Sequence, residues 1–502
     1  MTRPDTPRSD PTRIAIIGGG ITGLAAAWEA SARSGVQVTV FEASDRPGGR
    51  ILTSPMPGLD RSIAIDEGAD AFLARVPDAV DLCSELGLAD EMTQPATGRA
   101  KVFVDGALGF LPTDTVLGVP VEFGPLAESG LVSAAGVERA SSEVDRDWAA
   151  PDHDVSIGEF LSERYGRELV DNVVAPLIGG INAGDVDRLS LASVTPQLAS
   201  AAAEGGSLTL ALRRRAAALA AASNGGTAPP PIFRALLGGT GRLIESLGET
   251  LRARGVALRL SSPVARIGLN STDAALVSAG PDSASPSRQS SNNTGGPTVR
   301  LTLSDGSGLD FDAVIVCTPA PAAAELLSDL SAAAAVELRA ITHSSVALVT
   351  MIYERAALDD ADLDASGFLI PRSAGMLMTA ASIGSSKWKH WNDGQHVVMR
   401  VSAGHSTDDR GETLGDDELL EGLMADLRAT LGIATPPVST RISRWRNGFA
   451  QYEVGHSERV GRIRAALSHD SPNVAVAGAA YEGLGIPACI AQGRSAVRDL
   501  LG

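Results

Sequence analysis

The first apolar run of the chain, Ile14 to Ile17, is short and unbroken, the pattern of a strand buried on both faces of a parallel sheet. A glycine cluster follows. Ile21 to Ser34 is then Ala-rich, with no proline and with Gly23 as its internal glycine, and it reads as a helix. Gly35 stands where a left-handed C-cap would end that helix. Val36 to Phe41 is a second β-branched run, so strand, helix and strand form a βαβ unit of about 30 residues.

Beyond this unit the periodicity changes. Residues 76–230 carry apolar positions at helical spacing with glycine stops, as in VPDAVDLCSELGLADEM and SIGEFLSERYGRELVDNVVAPLIGG. Ala201 to Ala222 reads as one long helix, with Arg213, Arg214 and Arg215 as a solvated basic face. Residues 223–231 have linker composition. A glycine-started helix over 238–255 precedes VALRLSSPVARI, which alternates like strands. VARI (264–267) and VRLTLSDG (299–306) read as two arms of a hairpin. The Ser/Asn/Gly/Pro-rich stretch between them, 270–298, is expected to be a disordered loop. Loop-closure entropy grows slowly with length, so the fold tolerates it. Residues 311–319 read as a buried strand ending in a proline turn, 343–404 as a second sheet, and 473–502 as strand, glycine loop and helix. The polar, proline-containing start, residues 1–13, has no apolar core of a signal peptide and reads as a frayed tail.

Composition narrows the class. The 502 residues are 44% hydrophobic and 20% charged, which excludes a disordered chain, and the length suggests about three domains. A formal charge of −18 disfavours nucleic acid and anionic lipid as general partners, so an anionic substrate would need a local basic patch. Cys83, Cys317 and Cys489 are far apart with no CxxC, which excludes a disulfide scaffold and a cysteine-ligated metal and suits a reducing cytoplasm. Seven histidines without HExxH argue against a catalytic metal, and no uninterrupted apolar stretch reaches the about 18 residues of a membrane-spanning helix.

The chemistry begins at GGGITG (18–23). Gly18, Gly20 and Gly23 satisfy GxGxxG between a strand and a helix, the context in which the pattern means dinucleotide binding. Gly18 allows the tight turn, Gly20 lets the backbone approach a pyrophosphate, and Gly23 lets helix and strand pack closely. Gly19, Ile21 and Thr22 complete the turn whose N–H groups would face the phosphates. Glu42 ends the second strand 19 residues past Gly23, placed to accept hydrogen bonds from a ribose diol, with Ala43 beside it. A second glycine pair follows at once, and the guanidinium of Arg50 could reach the same diphosphate.

This extended pattern, GGGxxGLxxA, an acidic strand end and GGR, resembles the amine oxidase and protoporphyrinogen oxidase superfamily of FAD enzymes at Gly18, Gly20, Gly23, Leu24, Glu42, Gly48, Gly49 and Arg50. IDEGADAFLAR (65–75), SSPVARI, GGINAGDVDRLSL (179–191), GFLIPR (367–372), SSKW (385–388), RWRNGFAQYEVGH (444–456) and GAAYEGLGIPACI (478–490) extend the similarity to the FAD-dependent protoporphyrinogen/coproporphyrinogen oxidases of haem biosynthesis. One departure is visible: Phe449 and Ala450 stand where that family often has Met-Pro before Gln451 and Tyr452.

The resemblance implies an α/β fold: a Rossmann-like FAD-binding domain from 1–75, 232–340 and 470–502, a mainly helical inserted domain over 76–231, and a mixed-sheet substrate domain over 341–469. It implies that Gly68 and Ala69 pass beside the ribityl chain and flavin, that the Val264 backbone meets the adenine, and that Trp445 is a flavin-side residue. Leu484, Gly485 and Ile486 would lie at the flavin pyrimidine edge, where the helix begun near Pro487 would stabilise the negative charge of reduction.

The implied reaction removes six electrons, in three cycles, from the meso carbons of coproporphyrinogen III, with O2 reoxidising the flavin to give H2O2. Cofactor chemistry of this kind asks the protein mainly to position and desolvate. Arg75, Lys101 and Arg372 are the candidate partners of the substrate propionates. Cys317 and Cys489 read as inert thiols, and Trp388 and Trp391 as packing. A cytoplasmic enzyme, with peripheral membrane contact left open, would pass its product to the next haem-pathway enzyme by transient contact. Oxidation of protoporphyrinogen IX, a flavin amine oxidase or carotenoid desaturase, and a non-catalytic FAD-binding protein are the alternatives.

Overall fold

The computed structural model describes residues 11–60, 63–222, 231–269, 298–358 and 361–502. The expectations for the N-terminal tail, the 223–231 linker and the 270–298 loop lie wholly or almost wholly outside these residues.

Five parallel strands form the first sheet, in the order Ala257–Arg259, Val36–Phe41, Thr12–Ile17, Ala313–Val316 and Val474–Val476. Thr12–Ile17 is central. Ile14 and Ile16 point into one core and Ala15 and Ile17 into another, so both faces are covered, as its unbroken apolar pattern requires. Helix Ile21–Ser31 packs on the first face against helix Ile486–Leu501. A Cβ on Gly493 would lie 2.3 Å from the Thr22 carbonyl oxygen, so glycine lets these helices approach. The helix ends three residues short of the expected Ser34, and Gly35, at φ +73°, serves the turn into the second strand. The hairpin is present: Val264–Leu269 pairs antiparallel with Val299–Leu303.

The second sheet has seven strands, in the order Ser439–Ala450, His343–Glu354, His396–Ala403, Met378–Ile383, Gly367–Leu369, Ala100–Val104 and Ala107–Phe110. It is mixed, because Gly367–Leu369 and Ala100–Val104 run parallel. Here the helical reading of 76–231 is corrected. Residues 100–110 are a β-hairpin whose two-residue turn, Asp105-Gly106, has both residues at positive φ, the type I′ geometry that Asp-Gly favours. Most of the remainder is helical, including Ile157–Tyr165, Ala175–Asn182 and Leu208–Ala222.

The single helix expected over 201–222 is two, Pro196–Ala202 and Leu208–Ala222. Gly205 and Gly206 break it at φ +70° and +69°. The buried Glu143 carboxylate then meets the new N-terminus, accepting from Ser207 Oγ (2.6 Å) and Leu208 N (2.7 Å), beside Arg164 Nη1 at 3.4 Å. The three arginines are paired at the surface, Arg213 with Glu122 and Arg214 and Arg215 with Glu204.

Candidate active site

A cavity of about 1550 Å3 opens between the two sheets. It exceeds the roughly 300–1,000 Å3 of a single small-ligand pocket, so it has room for more than one bound molecule. The parallel sheet and its loops line one part of it. The strands His343–Glu354, Met378–Ile383, His396–Ala403 and Ser439–Ala450 line another.

The glycine turn is built as its spacing requires. Gly18 sits at φ +104°, and a Cβ there would lie 2.9 Å from the Cys317 carbonyl oxygen. A Cβ on Gly23 would come within 1.9 Å of the Gly18 carbonyl oxygen, so this position admits only glycine. Gly20 differs: its backbone is extended, and a Cβ there would meet no protein atom within 4 Å and would project into space at the cavity wall. Helix Ile21–Ser31 starts at that point without a side-chain cap, as does Ile486–Leu501. Ile21, Thr22 and Ile486 line the cavity, so the first turns of two helices bring free N–H groups to it. Glu42 lines it beside Ala43, its carboxylate accepting from Gly19 N (2.7 Å), Ser44 N (2.8 Å) and Ser44 Oγ (2.7 Å).

Of the residues singled out from sequence, Gly18, Gly20, Ile21, Thr22, Glu42, Ala43, Gly49, Arg50, Gly68, Ala69, Val264, Trp445, Leu484 and Ile486 line this one cavity. Gly19, Gly23 and Gly485 stand behind it: Gly19 orients Glu42, Gly23 packs under Gly18, and Gly485 is the N-cap of the last helix. Arg50 is only partly as expected. Its guanidinium donates to the carbonyls of Gly448 (2.5 Å) and Asn447 (2.7 Å), so it ties the glycine pair to the end of the long strand instead of pointing freely at a diphosphate.

The 65–70 segment is held rigidly along the wall. Trp445 Nε1 donates to the Glu67 carbonyl (2.8 Å), Arg441 Nη2 to that of Ile65 (2.9 Å), and Arg400 to that of Gly68. Asp66 is buried and accepts from the Thr240 N–H and hydroxyl (both 2.8 Å); burial pushes its carboxyl pKa up. Asp70 gathers Lys387 Nζ (3.0 Å), Trp388 Nε1 (3.0 Å) and Arg400 Nη1 (3.2 Å). Burial alone would raise the Asp70 pKa, but the Lys387 and Arg400 charges and the Trp388 N–H hold it well below the usual carboxylate range. Sequence reasoning missed this cluster, because Asp70 lies more than 300 residues from Lys387, Trp388 and Arg400.

The candidate propionate partners separate. Arg75 is exposed and off the cavity: the Phe72–Leu73 strand pairs with Phe233–Leu236, and Ala74 N then bonds to Ile232 O, which carries Arg75 outward. Lys101 is buried, ion-paired with Asp362 and set over the Phe110 ring. Only Arg372 lines the cavity. It stands in a polar corner with Asp185, His405, Thr407, Asp408 and Arg410, the last of which sequence reasoning also missed. His343 lines the cavity too, its Nδ1–H donating to Ile341 O (2.9 Å), and burial lowers its pKa.

Trp388 and Trp391 are fully buried in a small core with Met56 and Ile65, as expected of packing residues. Cys317 and Cys489 line the cavity as thiols, burial pushing Cys489 up to about 11 and Cys317 higher still. Among the described residues, no group of three or more His, Cys, Asp or Glu is arranged to hold a metal, and no helix is long and apolar enough to cross a membrane.

Residues 21–501 match the family described as flavin containing amine oxidoreductase, and the chain belongs to that family. It is a flavin-dependent oxidoreductase by class. Among named relatives it is 32% identical to the coproporphyrinogen III oxidase of Bacillus subtilis (strain 168), over 97% of both chains. It is also 32% identical to the coproporphyrinogen III oxidase of Propionibacterium freudenreichii subsp. freudenreichii, over 99% of this chain and 92% of that one. A crystal structure from Exiguobacterium sp. 255-15, bearing a provisional protoporphyrinogen oxidase name, superposes with a TM-score of 0.82 at 28% identity, covering 98% of this chain and 99% of that one.

The cavity fits the flavin group of the family. The cradle at Gly20, where a Cβ would occupy otherwise open space, and the two uncapped helix starts supply close backbone approach and N–H donors.

Proposed function

We propose that this protein is an FAD-dependent oxidase that converts coproporphyrinogen III to coproporphyrin III in haem biosynthesis, removing six electrons with O2 as acceptor and H2O2 as by-product. The observation that carries the reading is the joining of a dinucleotide turn and a wide chamber in one cavity, in a chain whose full-length relatives bear that name. When bound, FAD supplies hydride acceptance.

The residues do the rest. Gly18, Gly20, Ile21 and Thr22 hold the diphosphate and Glu42 the ribose, while Val264 meets the adenine. Gly68, Ala69, Trp445, Leu484 and Ile486 frame the flavin ring, with Gly485 starting the helix that faces its pyrimidine edge. The clamped 67–70 backbone positions the ring, and the apolar wall of Val346, Leu348, Ile370 and Met378 excludes water from the reacting carbon. In domain terms, we assign the FAD-binding part to 1–75, 232–340 and 470–502 and the substrate part to 341–469, with the 100–110 hairpin joined to it. The rest of 76–231 is the helical part. The protein works in the cytoplasm and hands its product by transient contact to the next enzyme.

The name borne by the Exiguobacterium structure favours protoporphyrinogen IX as the second reading. Anaerobic mixing of the purified flavoprotein with each porphyrinogen separates the two. We expect the oxidised flavin band to bleach with coproporphyrinogen III and porphyrin fluorescence to rise when air is admitted. Bleaching by protoporphyrinogen IX alone selects the second reading, and bleaching by neither overturns both.

A further inference from the structure

The polar corner of the cavity contains two arginines, each the first residue of a short helical turn, Arg372–Ala374 and Arg410–Thr413, and each with a resting acidic partner. Arg372 Nη1 meets Asp185 at 2.9 Å, and its Nη2 donates to His405 Nδ1 at 3.0 Å and to the Thr407 hydroxyl. Arg410 directs Nε and Nη2 to Asp408 (2.9 and 2.6 Å) and Nη2 to the Met376 carbonyl (3.1 Å). The arginine side chains are 39% and 45% exposed, whereas those of Asp185 and Asp408 are 16% and 15% exposed. In each pair the cation is the more exposed member, and both arginines line the cavity, as does Asp408. The guanidinia are the accessible members of these pairs, so a substrate carboxylate can reach them while the resting aspartates stay bound. A guanidinium also has five N–H donors and can serve two acceptors at once.

Resting on the reading above, we propose that Arg372 and Arg410 together form a carboxylate-reading site. On substrate entry each extends its remaining N–H donors to a substrate carboxylate while its aspartate stays bound, and the pair selects a porphyrinogen with four carboxylates over one with two. The chain as a whole carries a charge of −18, and Asp185 and Asp408 balance the two arginines, so the corner attracts a carboxylate through its guanidinium N–H donors and not through net charge. Asp185 and Asp408 keep the guanidinia oriented before binding, so the site is formed in advance. His405 accepts from Arg372 and adds no charge: burial first, then the neighbouring Arg372, lower its pKa against the opposing pull of Asp408 and Asp185.

The test uses Arg372→Gln, Arg410→Gln and Asp408→Asn in the flavin-loaded full chain, with flavin content confirming that each is folded. Binding is read from the Soret shift on titration with coproporphyrin III and with protoporphyrin IX, which needs no turnover. Turnover is read separately with the two porphyrinogens. Loss of a charged hydrogen bond at each arginine raises the Kd for coproporphyrin III and the KM for coproporphyrinogen III about tenfold. The bleaching rate at saturation and the Kd for protoporphyrin IX stay within about twofold, because those steps do not use the extra carboxylates. Asp408→Asn leaves coproporphyrin III binding equal or tighter. Unchanged Kd in both arginine variants, an equal rise for both porphyrins, or weaker binding in Asp408→Asn overturns the proposal. Failure of the wild type to oxidise either porphyrinogen, with the Kd shifts intact, overturns the reaction and leaves the carboxylate site standing.

Discussion

We expect Gly20→Val to yield a folded protein that purifies without the yellow colour of bound flavin. The backbone of Gly20 is extended, at φ −70° and ψ 177°, so a β-branched residue is unstrained there. A Cβ meets no protein atom within 4 Å, and the stability of the flavin-free protein falls by no more than about 1 kcal/mol, the cost of valine in place of glycine at a helix N-cap. The added methyl groups stand instead where a diphosphate must come within hydrogen-bond distance of the helix start. A ligand present at a thousandfold its Kd stabilises a protein by about 4 kcal/mol. Saturating FAD therefore raises the unfolding midpoint of the wild type and leaves that of Gly20→Val almost unmoved. The neighbouring Gly23→Ala is the control for position. Its Cβ would lie 1.9 Å from a backbone oxygen that cannot move aside without distorting the turn, so it costs about 3 kcal/mol or more in the flavin-free protein itself. Urea unfolding of both variants, with and without FAD, checks the pair. Equal flavin retention by Gly20→Val and the wild type would show that no phosphate lies against this turn.

Asp70→Asn removes the one anion shared by Lys387, Arg400 and Trp388. An amide still accepts from Trp388 but leaves two cations facing each other, with the Arg400 side chain only 5% exposed. Breaking a buried pair by removing one partner costs about 3–5 kcal/mol, and the partly exposed Lys387 places this case near 3. The loss extends to function, since Arg400 also holds the Gly68 carbonyl at the cavity wall. Flavin affinity falls with stability. The pH dependence has a definite sign. Because the folded-state pKa of Asp70 is depressed, its stabilisation is complete above the unfolded carboxylate value of about 3.9 and drains away as pH falls below it. The wild type therefore loses stability through this acid range, and Asp70→Asn lacks that contribution. Parallel acid limbs for the two proteins would count against the assignment.

These two sites differ in how they can be read. The glycine turn is local: a four-residue apolar run, three glycines at fixed spacing and an acidic strand end lie within 30 residues, and each demand is a backbone one that a residue type satisfies or violates alone. The Asp70 cluster is not. Its aspartate and lysine are 317 residues apart and meet because the seven-stranded sheet stacks over the 65–70 segment. Charge type was visible at Arg75, Lys101 and Arg372, and charge direction was not. Lys101 alternates into the sheet and finds Asp362, Arg75 is carried outward by a two-residue strand, and Arg372 alone turns into the cavity. Arg410 lies in HSTDDRGET, a stretch that composition cannot tell from any polar surface loop. The 100–110 hairpin was legible in principle, through its Asp-Gly turn and alternation, but was absorbed into a helical region on either side.

By itself the sequence determined the βαβ unit, the glycine geometry, the acidic strand end and the 343–404 strands of the second sheet, because φ preference and hydrophobic period act over a few residues, while the family came from the resemblance of its motifs. Tertiary structure alone decided which charges face the cavity, which are buried against partners and which stand in solvent. Those outcomes depend on contacts between residues hundreds of positions apart, where burial and pairing, not residue type, set the energy of a charge.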